Sequence, residues 1–133
     1  MTEARIEQVP ADRVTARQFL EQGRVFLDDA LTDLSNESRQ ILLHQGAIYA
    51  CDAILLAKGL RVSAGDRAHI LRFERALGEL PGSTTELLEA LDAARAIRVN
   101  ASYQAVPVAG ASVDDAAEAT RELYLLAEQL LRR

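Results

Sequence analysis

A chain of 133 residues, 49 % of them hydrophobic, is long enough for one domain whose buried core needs no covalent or metal staple. Its net charge of -5, from 20 acids against 15 bases, argues against a general basic coat for nucleic acid and leaves only a local arginine pocket open. The single cysteine, Cys51, excludes an intramolecular disulfide and a cysteine-rich metal site; with no apolar leader segment, the expected compartment is the reducing cytoplasm.

No stretch alternates like a strand, and Pro10, Pro81 and Pro107 all lie outside periodic runs, so an all-helical chain is expected. Residues 1–133 read as one domain with a core over about 12–132 and an N-terminal extension over 1–11. A first helix is predicted over about 12–34, with Val14, Phe19, Phe26, Leu27, Ala30 and Leu34 on its core face, before Ser35 and Asn36 break and cap. The second, over about 37–58, is apolar nearly all round between Ala47 and Ala57, which marks it as the central helix or a dimer helix. No apolar run is expected to cross a bilayer.

Gly59 suits a left-handed C-terminal cap, and 61–65 reads as a loop. Asp66 should open a short third helix carrying Ile70, Leu71, Phe73 and Leu77, ended by Pro81 and Gly82. Ser83-Thr84-Thr85-Glu86 has capping-box spacing, so a fourth helix should start there and reach about Ser102. After a loop over 104–111, Ser112 to Asp115 open a last helix with Ala116, Ala119, Leu123, Leu126 and Leu130 facing inward. Four long helices, one short helix and short loops predict an up-and-down antiparallel bundle. Because alanine supplies little apolar area, further burial between two copies is expected, hence a homodimer.

The fourth helix carries the anomaly. At roughly 100° per residue, Leu87, Leu91 and Arg98 fall within about 20° of one line, flanked by Ala94 and Ser102. A guanidinium on an apolar stripe needs an acid, carbonyl, phosphate or interface for its donors, unless its stem packs and its head reaches water. Asp52, a lone acid in the apolar run, needs a partner in turn, such as Arg98 or Arg95; the other reading is a structural ion pair or a rim-exposed carboxylate at the dimer edge. His44 and His69 have no second metal ligand at helical spacing, so no metal and no cofactor is expected, and Cys51 reads as inert packing.

Tyr49-Ala50-Cys51-Asp52 running through Ala53-Ile54-Leu55-Leu56 to Lys58-Gly59-Leu60, with His69 downstream, resembles the central helix of prokaryotic HEPN domains. Arg98-Val99-Asn100-Ala101-Ser102-Tyr103 is similar to that family's late-helix motif in its Arg-Asn-x-Ala-Asp-Tyr form. The likeness covers about 15–131 and implies a small HEPN-like helical bundle that pairs as a homodimer, of the kind found in toxin-antitoxin and defence systems. Catalytic members carry a histidine four to six residues after the arginine and form a metal-independent RNA-cleaving site between paired motifs. Here Val99 and Tyr103 occupy the dependent positions.

Cleavage through a 2′-hydroxyl needs a proton acceptor near neutral pH; imidazole at about 6.5 serves and a phenol at about 10 does not. Arg98 with Tyr103 therefore reads as a phosphate-plus-stack pair that binds RNA or a nucleotide. Arg95, Asn100, Ser102 and Asp52 are the further candidate ligands. Tyr103 lies about 140° round an ideal helix from Arg98, so the two converge only if the helix loosens near Ala101 or if a second subunit supplies one. Two alternatives stay open: an endoribonuclease toxin in which Arg98 and Tyr103 are catalytic, and a regulatory partner of a small nucleotidyltransferase, as the resemblance allows.

Overall fold

The computed structural model describes residues 2–104 and 107–132; the side chains of 98 and 100–104 lie outside that description. The chain is mostly helical, with β1 (Ile6–Gln8), α1 (Arg13–Ala30), α2 (Asn36–Ala57), β2 (Leu60–Val62), α3 (Ala68–Gly78), α4 (Thr85–Gln104) and α5 (Gly110–Arg132). The all-α class holds broadly, and the small two-stranded sheet is an addition to it that takes 61 and 62 out of the loop assigned to 61–65. β1 and β2 pair antiparallel with Ile6 opposite Val62, and the Glu7 carboxylate takes a 2.8 Å hydrogen bond from Arg61 across the ladder. Strands of three residues are too short to show an alternating pattern, which is why the sequence hides them.

The N-terminal segment is thereby tied to the far end of α2: Val9 N–H donates to the Gly59 carbonyl and Asp12 N–H to that of Leu56. Gly59 adopts φ +73°, as its capping position requires, and a Cβ there would come within 2.8 Å of the Val9 carbonyl oxygen. Asp12 caps α1 through Thr15 and Ser35 caps α2 through Ser38. Asp66 does not open α3. Its backbone pairs with Thr2 and Ala4, and the helix starts two residues later, after Arg67 in the left-handed region at φ 64°.

Helix α2 is the centre of the molecule, touching α1, α3, α4, α5 and β2. Ten of its residues, from Gln40 to Ala57, are buried. By length and composition it is also apolar enough to cross a membrane, with mean hydropathy 1.3, contrary to the expectation that no run is; its apolarity serves burial inside the chain. The core face of α1 is Ala16, Leu20, Gly23, Leu27 and Ala30. Val14 and Leu34, placed in the core by periodicity, are 65 % and 43 % exposed.

Where α1, α2 and α5 meet, Gly23, Gly46 and Tyr124 interlock. The buried Tyr124 hydroxyl donates a 2.7 Å hydrogen bond to the Gly46 carbonyl and fills the space a Cβ on Gly23 would need. Tyr49 closes this corner, stacked on Phe26 with ring centres 5.6 Å apart. Three arginines hold helix C-termini, where carbonyls lack helical partners. Arg13 and Arg17 donate to the Leu130 and Leu131 carbonyls of α5, and Arg39 to the Ala30 carbonyl of α1.

Candidate functional site

The stripe that leads to Arg98 is where the sequence places it: Leu87 and Leu91 are buried, and Ala94 and Ile97 half-buried. What the sequence reading missed is Gln40 of α2, only 1 % exposed, whose Nε2 donates a 2.9 Å hydrogen bond to the Ala94 carbonyl. In an α-helix that carbonyl also accepts from the N–H of residue 98, so the cross-helix bond pins the turn that carries the arginine. Among the described residues, Gln40 Oε1 has no partner. A buried acceptor left open costs about 1–3 kcal/mol. The signal was legible, since Gln40 stands at the head of the 40-43-47-50-54 stripe as its only amide.

The side chains of Arg98, Asn100, Ser102 and Tyr103 lie outside the described residues, but the backbone that carries them is described. Helix α4 runs unbroken to Gln104, so it does not loosen near Ala101. By register Ser102 lies about 40° from Arg98, on the same side, whereas Tyr103 and Asn100 lie about 140° and 160° away. One chain therefore does not turn the arginine and tyrosine positions toward each other.

Asp52 is held in an ion pair by Arg72 of α3, whose Nε donates to Oδ1 at 2.9 Å; among the described residues Arg95 makes no such pair with it, and the Arg98 side chain lies outside them. The backbone explains this. Past Ala94, α4 heads for the start of α2, because Val108, beyond its end, is bound by Asn36 and Glu37. Asp52 lies about 18 Å beyond Gln40 in the other direction. Burial pushes its carboxyl above the ordinary range, with Arg72 pulling the other way. Arg95 belongs to the same charged group around α3: it acts on His69, whose pKa is lowered first by burial and then by Arg95, with Asp92 opposing.

His44, four residues after Gln40, is half-buried with its ring edge-on to Phe73 at 6.4 Å. Cys51 is buried, and burial together with the Asp52 charge pushes its thiol far up, so it is no nucleophile. No group of three His, Cys, Asp or Glu side chains able to hold a metal occurs among the described residues. Beside this face, α4 and α5 leave an open groove of about 690 Å³ between them.

Comparison of the chain with protein-family models, with curated proteins and with solved structures finds no match.

Proposed function

We propose that this chain is a HEPN-like up-and-down helical bundle, paired as a cytoplasmic homodimer, that binds RNA or a nucleotide through the arginine turn of α4 without efficient cleavage. The observation that carries the reading is Gln40, a buried amide that fixes the Ala94 turn and whose Oε1 has no partner among the described residues. Proteins break the rule of satisfied buried polar groups chiefly at functional sites. The arginine supplies charge for phosphate and the tyrosine a face for a base. Proton transfer at neutral pH lacks an imidazole at position 103, and half-buried Val99 adds no polar group.

The dimer follows from the same helix. With α4 straight to Gln104, Arg98 and Tyr103 act on one ligand when the tyrosine comes from the second subunit. The exposed apolar side chains Leu31, Leu34 and Ile41 lie at the end of the molecule toward which α4 runs, and they supply the apolar surface for pairing there.

The test is incubation of labelled mixed RNA with wild-type protein, Arg98→Ala and Tyr103→Ala in EDTA, read for gel shift and cleavage. A shift weakened at least tenfold in each variant, and regained when the two variants are mixed, is the expected result. Mixing rebuilds one intact site per heterodimer. Cleavage abolished in Arg98→Ala would replace the binding reading with a metal-independent ribonuclease, and neither signal would reject nucleic acid as the ligand. Light scattering of Ile41→Glu should report a monomer.

A further inference from the structure

The groove between α4 and α5 has an apolar floor of Leu87, Ala90, Ala94, Ala116 and Ala119 and an acidic rim of Glu86, Asp115, Glu118 and Glu122. Among the described residues, no lysine or arginine lines it. On α4 the lining recurs at helical spacing from Glu86 to Ile97, and on α5 from Ser112 to Leu126. At 1.5 Å per residue these stretches measure roughly 16 Å and 21 Å, the length of a helix of about 11–14 residues. Alanines on both walls let a third helix approach closely, as ridges settle into grooves.

We propose that this groove docks a cationic amphipathic helix of a different protein, its aliphatic side chains on the alanine floor and its Arg or Lys residues against the four rim carboxylates. Charge decides between a foreign helix and a second copy. Two-fold pairing through this face would set the carboxylates against their own copies. For a head-to-tail contact, many of the described helix arginines are already engaged within the chain. Arg24 is engaged with Asp28 and Glu128, Arg75 with Glu79, and Arg132 with Glu128, while Arg13 and Arg17 cap α5. The same rim repels a phosphate backbone, so the groove and the proposed RNA site select opposite charges, and the inference does not depend on RNA binding.

The test is a display selection of 14-residue helical peptides, with anchor and flank positions varied, against the full chain, followed by fluorescence anisotropy of the enriched sequences. The expected winners carry aliphatic anchors at i, i+3 or i+4, and i+7, flanked by Arg or Lys. Their affinity should fall several-fold between 50 and 300 mM salt. Glu118→Lys with Glu122→Lys, both exposed positions, should weaken binding at least tenfold at an unchanged melting temperature, and Ala93→Trp, which fills the groove, should abolish it. Three results would overturn the proposal: no enrichment, enrichment of neutral or acidic peptides, or binding untouched by the variants. Self-association of the chain lost in Ala93→Trp would assign the groove to a second copy instead.

Discussion

The two sides of α2 are built on opposite principles. Toward α1 and α5 there is no space to give: Gly23 lies against the Tyr124 hydroxyl, and that hydroxyl is itself satisfied by the Gly46 carbonyl. Toward α4 the same helix presents a buried amide with one acceptor unused, and beyond it α4 and α5 stand apart over alanines. The fold's specificity thus rests on the α1–α2–α5 corner, where the buried Tyr124 hydroxyl is paired. The α4 side retains free volume and, among the described residues, an unmet acceptor, the features a ligand or partner consumes.

Gly23→Ala breaks this contrast most directly and has the largest expected effect. The new Cβ overlaps the Tyr124 hydroxyl and comes within 2.6 Å of the Tyr49 Cβ, so overpacking should cost about 3 kcal/mol in urea unfolding. Tyr124→Phe alone should cost about 1 kcal/mol, the net worth of its hydrogen bond. Because the phenylalanine also vacates the contested space, the double variant should be more stable than the two costs summed predict. Ala93→Leu, at the exposed groove, should cost under about 0.5 kcal/mol. Equal costs at Gly23 and Ala93 would remove the distinction between the two sides.

Helices with strong periodicity and good caps were legible in the residues, α1, α2 and α5 to within a few positions, because Asp12, Ser35 and the apolar stripes act locally. Tyr124 was not legible as a core residue, since its burial depends on glycines contributed by two other helices. The strands were not legible either, as their partners lie more than fifty residues apart. In the site, the Arg98 stripe could be counted from the sequence, whereas the partner of Asp52 could not. Choosing Arg72 over Arg95 or Arg98 requires knowing which way α4 runs along α2.

That pair sharpens the comparison at smaller scale, because Asp52 lies on the α3 side of α2 with 35 % of its side chain exposed. Its carboxyl is raised above the ordinary 3.8 by burial, so it holds its proton more tightly in the folded chain than in the unfolded one. Such a group contributes stability below the ordinary value, and that contribution is lost as pH rises through the raised one. Asp52→Asn stays neutral and keeps an acceptor for Arg72, so at pH 7 it should fall within about 0.5 kcal/mol of wild type while losing this pH dependence. Arg72→Met leaves a partly buried carboxylate without its cation. Discounted for solvent screening, its cost should be about 1 kcal/mol at pH 7 and should shrink toward pH 4, as the raised carboxyl takes up its proton. Urea titrations at the two pH values check the order, and a larger loss for Asp52→Asn would mean that the ion pair outweighs burial.

Gln40→Met has the most telling sign. The substitution gives up the hydrogen bond to the Ala94 carbonyl, worth about 1 kcal/mol, and removes the open Oε1, a burden of about 1–3 kcal/mol. Methionine fills nearly the same volume without a polar atom. The balance should therefore lie between neutral and about 2 kcal/mol more stable, measured by urea unfolding. If the amide is there for the site, RNA or nucleotide affinity should fall in the same variant, because the arginine turn loses its anchor and the ligand an acceptor. A variant that folds better and binds worse would identify Gln40 as a residue kept against stability for function. One that loses stability and keeps its affinity would make Gln40 part of the scaffold, leaving α4 as closely fitted to α2 as α1 and α5 are.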